Sequence, residues 1–265
     1  LTTTKNKVLE LANEGQTIYG EGLKYGTEHF PTQTKVGKPI GAFYLYKTDG
    51  IFQSIDEINQ YVNKDGELLQ PEAKPGDIKF LDTNNDGTID EDDKVYCGSG
   101  IPALEANLNF SADYKGFDLS LVLGSAWNYK LYNGNKYFYE GMNSSSNMLK
   151  STLNAWTPTN TDTDVPRAIY QDPNGNTRES DRFLENGNFV RLRQLQLGYT
   201  LPSSLTQKAY IEKLRFYVSG ENLFTITGYD GIDPEFSRSN VLNTGIDKLI
   251  YPFTRSFSVG AQLTF

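Results

Sequence analysis

The sequence predicts an all-β protein: strands of a transmembrane up-and-down antiparallel β-barrel, with long loops at one end. Three observations carry this expectation. In residues 251–265 the odd positions Tyr251, Phe253, Phe257, Val259, Ala261, Leu263 and Phe265 are apolar, Arg255 excepted. The even positions are Pro, Thr, Ser, Gly or Gln, and side chains alternate across a strand, so one face is greasy and the other polar. The composition is unusual for a water-soluble domain: 37% hydrophobic residues, yet 13% aromatic, with 17 Tyr and 15 Phe against 2 Trp. That mixture suits a polar lumen with aromatic girdles at the interfaces. Finally, short and long connections alternate along the chain, as periplasmic turns and extracellular loops do in such barrels.

Taken in order, residues 2–11 read as the end of a strand arriving from a preceding segment. Leu1-Thr-Thr-Thr-Lys5 carries neither an apolar signal core nor a cleavage site, so the chain is expected to lie inside a longer protein. Residues 13–102 are turn-rich and predict a long extracellular loop region. Within it, residues 41–53 have β-type aromatic content, and Ser54 predicts an N-cap for a short helix over 54–62 with Ile55, Ile58 and Val62 on one face. Residues 104–114 and 117–127 alternate cleanly, and only Lys115-Gly116 separates them, which predicts a tight hairpin. A second loop, 128–187, includes a possible helix over 146–156. Strands at 188–200, 213–225 and 251–265 follow, the last two joined by a loop over 228–250. Parity then places the C-terminus on the periplasmic side. Six strands cannot close a barrel, and an open edge is not tolerated in lipid, so they must belong to a larger one.

The net charge of −8 argues against nucleic acid as a partner, because phosphate binding needs clustered Lys and Arg. With one Cys (Cys97) and one His (His29), an internal disulfide is impossible and a His-based zinc site or catalytic triad is not expected. Cys97 reads as a small structural residue.

One motif has metal-ligand spacing. In Asp82-Thr-Asn-Asn-Asp-Gly-Thr-Ile-Asp-Glu-Asp-Asp93, oxygen donors fall at the calcium-loop positions: Asp82, Asn84, Asp86, the Thr88 carbonyl, Asp90 and Asp93. Gly87 permits the sharp turn, and Asp93 stands where a bidentate Glu is usual. A structural Ca²⁺ is the cofactor expected there. Asp90 and Asp92 could in principle serve glycoside hydrolysis, but they sit inside this loop, and no enzyme activity is expected. Trp127, Tyr129, Tyr132, Tyr137, Phe138, Tyr139 and Trp156 could form a sugar platform; interfacial girdle and loop packing explain them more simply.

Together these features resemble the C-terminal third or so of SusC/RagA-family TonB-dependent outer-membrane transporters of Bacteroidota. The resemblance spans nearly all 265 residues. Its blocks run in order from Pro39-Ile-Gly-Ala-Phe-Tyr-Leu-Tyr-Lys-Thr-Asp-Gly-Ile-Phe52 and Gly76-Asp-Ile-Lys-Phe-Leu-Asp-Thr-Asn-Asn-Asp-Gly-Thr-Ile-Asp90 to Tyr114-Lys-Gly-Phe-Asp-Leu119. They continue through Phe189-Val-Arg-Leu-Arg-Gln-Leu-Gln-Leu-Gly-Tyr-Thr-Leu-Pro202, Glu221-Asn-Leu-Phe224 and Gly231-Ile-Asp-Pro-Glu235 to the last strand. The resemblance implies a 22-stranded barrel around an N-terminal plug in the cell outer membrane. It also implies a SusD-like surface lipoprotein as partner, possible dimers of transporter–lipoprotein pairs, and glycan or peptide import driven by the TonB complex through an N-terminal region absent from this sequence. The alternative expectation is a soluble calcium-dependent carbohydrate-binding module.

Overall fold

The computed structural model describes residues 1–25, 27–143, 145, 147–236 and 240–265. Its largest element is a six-stranded antiparallel sheet in which sequence neighbours are spatial neighbours: Thr2–Thr3, Leu104–Tyr114, Phe117–Trp127, Phe189–Thr200, Lys213–Thr227 and Ser256–Thr264. This is the meander that the alternation of connections predicts.

The register settles what each face is made of. One row across the sheet is Ala112, Leu119, Leu197, Val218 and Val259; the next is Ser111, Ser120, Gln196, Ser219 and Ser258. Because one residue of slip would exchange the faces, five strands agreeing in both rows is strong evidence for the pairing. Among the described residues nothing covers the apolar face: Val259 is 85% exposed and Phe257 74%. Aromatic residues bound it. Tyr114, Phe117, Tyr199 and Phe216 share a row at the short-turn end, and Phe117 and Tyr199 have ring centroids 4.5 Å apart. Trp127, Phe224 and Phe257 are exposed towards the other end. Trp127 stands ten positions beyond Phe117 in the same strand. At a rise of about 3.4 Å and a tilt of about 45°, Phe117 and Trp127 lie about 24 Å apart along the membrane normal, which matches an outward apolar band of about 25 Å.

The Lys115-Gly116 turn has φ of 48° and 87°, both left-handed, as a two-residue hairpin whose twist matches its strands requires. A bulge interrupts the sheet opposite the 117–127 strand: Val122 pairs with Gln194 but Leu123 with Leu192, leaving Arg193 unpaired. The adjacent strand compensates with Asn222 and Leu223 between Glu221 and Phe224, Asn222 being left-handed at φ 51°. The bulge brings Arg191 and Arg193 onto the polar face together. Arg191 pairs with Gly124, and a Cβ on Gly124 would lie only 2.0 Å from Arg193 Nε.

The long connections fold into one layer at the loop end of the sheet. Ile18–Tyr19, Thr32–Thr34, Ala42–Leu45 and Val95–Ser99 form a four-stranded sheet; Lys130–Asn133, Leu184–Asn186 and Ile246–Asp247 form a three-stranded one. Their shared core contains Leu23, Phe43 and Leu45 from the first loop, Tyr132, Tyr137 and Phe183 from the second, and Ile246 from the third. Cys97 and Phe138 pack against it, so Cys97 is structural as expected. Tyr129 belongs to a second cluster with Ala126, Leu131, Phe189 and Tyr229. The aromatic residues of the second loop are therefore chiefly packing residues.

Several expected elements are shorter. The first strand ends at Thr3, because its partner begins at Leu104; the chain then pairs with the loop layer through Val8 and Lys38. The last strand covers only Ser256–Thr264. Beyond it Pro252 has no N–H to give, and the bulged Asn222 donates its side-chain amide to the Thr254 carbonyl instead of continuing the ladder. Residues Ile55–Gln60 form the expected short helix, with Ser54 accepting from Glu57 N, but only Ile58 of its apolar face is buried. Of the expected 146–156 helix, Ser146 lies outside the described residues and Lys150–Asn154 form a 3-10 turn. Leu153 is 83% exposed, so no apolar face holds a longer helix, and the Thr152 and Asn160 side chains bond to neighbouring carbonyls.

Candidate functional site

Three constellations stand out, all at or above the loop end of the sheet. The first lies where the 228–250 loop meets the polar face. Arg191, 3% exposed, pairs with Asp233, and Arg193 with Glu235 at 2.7 Å. Asp233 also accepts from Phe253 N at 3.1 Å, and the Tyr129 hydroxyl donates to the Pro234 carbonyl at 3.1 Å. The Arg191 guanidinium lies 5.1 Å from the Phe253 ring centre. The loop is thus fastened to the wall by charge-assisted hydrogen bonds, stronger than neutral ones. A cavity of about 400 Å³ opens beside this fastening.

The second constellation joins the first two loops. Glu179, 2% exposed, takes His29 Nδ1, Lys94 Nζ at 2.5 Å and the Phe30 N–H at 3.1 Å. Lys94 is itself only 1% exposed and also bonds Glu91 at 2.7 Å. Burial alone would raise the Glu179 pKa; the His29 hydrogen bond and the Lys94 charge outweigh it and hold it at about 2. Nearby, Asp77, wholly buried, is gripped by Arg167 at 2.8 and 3.0 Å and by the Asn176 amide at 2.9 Å.

The third is the calcium-like loop. Asp82 accepts from Gly87 N at 2.9 Å, Asn84 from Asp86 N at 2.8 Å, and Asp86 from Thr88 N at 2.9 Å. Asp90 caps a 3-10 turn over Glu91–Asp93, and buried Asp93 accepts from Thr83 N and Asp90 N. Hydrogen bonds from the Thr88 N–H and hydroxyl and from Asn84 lower the Asp86 pKa. Each side chain therefore curls its own stretch of the loop. Among the described residues no three His, Cys, Asp or Glu side chains group as they stand into a metal-holding set. Asp82 Oδ1, however, is buried with no hydrogen-bond partner.

Sequence reasoning picked out the third constellation and missed the other two. Two arginines spaced by two in an otherwise uncharged strand, Phe189-Val-Arg-Leu-Arg193, could have flagged the first. Nothing local marks Glu179, whose partners lie 85 or more residues away.

A two-faced meander with an apolar face bounded by aromatic residues and a folded loop layer at one end defines a portion of a membrane β-barrel. No helix among the described residues is long and apolar enough to cross a membrane. No family model matches the chain. It is 33% identical, over a 277-residue alignment, to TonB-dependent receptor P3 of Formosa agariphila, covering 98% of this chain and 26% of that protein. It is 27% identical to TonB-dependent receptor SusC of Bacteroides thetaiotaomicron, covering 100% of this chain and 24% of SusC. Among solved structures it is similar to the RagAB peptide importer in the 'open-open' state, with TM-score 0.70 and 25% identity over 98% of this chain and 25% of that one. The chain belongs to the SusC/RagA-type TonB-dependent receptors. It spans about a quarter of the length of the curated relatives it matches. These relatives are receptors and importers, not enzymes.

Proposed function

We propose that this chain forms barrel wall, lumen surface and extracellular loops of an outer-membrane TonB-dependent importer of glycans or peptides. The observation that carries the reading is the pair of adjacent rows, one wholly apolar and one wholly polar, running across five strands. Lipid demands the first row and a water-filled lumen the second. A soluble carbohydrate-binding module would leave the apolar row in water without benefit. The name of the solved relative, a peptide importer, and that of the SusC receptor supply the transport half of the reading.

On this reading the loop layer is extracellular and the strand 256–264 runs towards the periplasm. A barrel of 22 strands, a plug, TonB coupling, a SusD-like lipoprotein over the loops and dimers of such pairs complete the proposed assembly. Mild detergent extraction of the intact receptor, followed by mass analysis and an uptake assay with and without TonB, tests it. Purification without any lipoprotein, together with TonB-independent uptake, would overturn it.

The acidic loop is proposed to hold a structural calcium ion. Its donors are all oxygen, as a hard cation prefers, and the unpartnered Asp82 Oδ1 is a buried acceptor lacking a donor. Asp82, Asn84, Asp86, Asp90 and Asp93 would supply side-chain oxygens and Thr88 its carbonyl. The ion would supply charge neutralisation, not chemistry.

A further inference from the structure

Beyond the loop end of the sheet, on its apolar side, lies a cavity of about 380 Å³, within the range of small-molecule sites, about 300–1,000 Å³. The alternation of side chains gives its orientation. Leu131 and Phe189 line the cavity on the polar face, so their neighbours Lys130 and Asn188, which line this one, point the other way. Lys130 and Asn186 are register partners, and Asn128 directly follows the outward Trp127. An outward aromatic residue at a strand end marks the level of lipid headgroups. The cavity therefore opens at that level. In a chain of net charge −8, its lining holds Lys5 and Lys130 and, among the described residues, no Asp or Glu. Lys38 stands over the ring of the lining Tyr96, 4.6 Å from its centre. The asparagines are turned to donate. Asn6 Oδ1 accepts from Ile40 N at 2.7 Å, Asn188 Oδ1 from Asn128 N at 2.8 Å and Asn186 Oδ1 from Asn188 N at 3.1 Å. With each carboxamide oxygen held, the NH2 group is what each offers a ligand. Ser99 Oγ likewise accepts from Ile101 N at 3.1 Å and keeps its O–H to give. The backbone makes room for the half-buried Lys130: Gly98 has φ 123°, a conformation that favours glycine, and a Cβ on it would stand 3.0 Å from Lys130 Cγ. Ammonium, amide and hydroxyl donors without a carboxylate fit an anion and repel a cation.

We propose that this cavity receives the phosphate of an outer-leaflet glycolipid headgroup, with Lys130 as its counter-charge and the Asn186 and Asn188 amides as directional donors. The inference rests on the barrel reading and extends it to the lipid around the wall. Lysine meets phosphate as a point charge, through hydrogen bonds that the charge strengthens, and amide donors fix where the phosphate oxygens sit. A lipid fits better than a free phosphate because of what lies below: the uncovered apolar rows of the sheet, where Val259 is 85% exposed, offer acyl chains a surface continuous with the cavity mouth.

The test uses the detergent-solubilised full-length receptor and three probes, compared by thermophoresis: a diphosphorylated, acylated diglucosamine (lipid A), the same lipid stripped of its phosphates, and inorganic phosphate. The phosphorylated lipid should bind at least tenfold more tightly than the stripped one, and inorganic phosphate at equal concentration should not displace it. Lys130→Gln should bring the two lipids to equal affinity, and Lys130→Arg should keep the preference. Asn188→Asp retains the acceptor for the Asn128 N–H but replaces the NH2 donor by a charged oxygen, and should lose the preference as well. Retention of the heat-modifiable compact barrel on gels shows that each variant is folded. Equal affinities in the unmodified receptor, a preference unchanged in both Lys130→Gln and Asn188→Asp, or displacement of the lipid by inorganic phosphate would each overturn the headgroup site. Nitroxide labels at Val259 and Ser258 of the same receptor in vesicles report lipid and water separately, so a failed headgroup site is distinguishable from a failed barrel reading.

Discussion

Replacing Glu179 by glutamine should loosen the loop layer at neutral pH and leave the barrel wall intact. The magnitude follows from the pair of values for this group, 4.5 ordinarily and about 2 in the fold. A displacement of about 2.5 units at 1.36 kcal/mol each corresponds to about 3 kcal/mol of stability carried by the ionised carboxylate. The folded pKa is depressed, so this contribution is complete above about pH 4.5 and disappears as the pH falls towards about 2. Glutamine keeps the shape but leaves Lys94, 1% exposed, with only the outer Glu91 as counter-charge. Local opening should then increase by about two orders of magnitude. Amide hydrogen exchange over residues 28–34 and 92–97 reads this directly, with the 213–227 strand as internal control. The difference between the two proteins should shrink on acidification and vanish near pH 2. Equal protection of 92–97 at neutral pH, or a difference that persists at pH 2, would refute the assignment of a stabilising ionised Glu179.

Three other outcomes are expected. Val259→Arg should cost about 2–4 kcal/mol in urea unfolding from phosphatidylcholine vesicles and Ser258→Arg much less, while nitroxide labels at the two positions should report lipid and water respectively. Asp233→Ala leaves the buried Arg191 with only Glu235, 3.4 Å away, as counter-charge, and limited proteolysis should then cut within the 228–250 loop under conditions where the parent resists. Calcium should protect residues 76–95 from protease, with protection reversed by chelation and absent when Asp82→Ala and Asp86→Ala are combined; protection indifferent to calcium would leave the segment an acidic turn held by its own hydrogen bonds.

What the sequence discloses and what it hides divides along the range of the interactions. The hairpin 104–127 was legible to the residue because period-two patterning and the Lys115-Gly116 turn are local. So was the Ser54 cap. Strand ends were not, since they depend on where a partner stops: Thr3 ends because Leu104 does, and Ser256 begins where the bulge at Asn222 diverts the neighbouring strand. The loop layer looks like mere connection in the sequence yet is folded, because its strands are two to five residues long and its parallel pair, Tyr132 with Ile246, joins segments over a hundred residues apart. The acidic loop was visible through its spacing, whereas Glu179 resembled any surface carboxylate.

The core shared by Leu23, Tyr132 and Ile246 has a consequence for how the chain acquires its shape. Three segments must converge from positions as distant as Glu21 and Asn243, which bond through the Glu21 N–H at 2.6 Å. Closing so long a loop in a free chain has an entropic cost that grows with the logarithm of its length. The meander removes most of that cost beforehand, because each hairpin returns the next segment to the same rim. The outer layer should therefore be the last part to order, and its appearance would serve as a report that the wall below has already zipped in register. A mispaired strand would deliver one segment to the wrong place along the rim, leaving the aromatic core incomplete and the unfinished layer open to proteases.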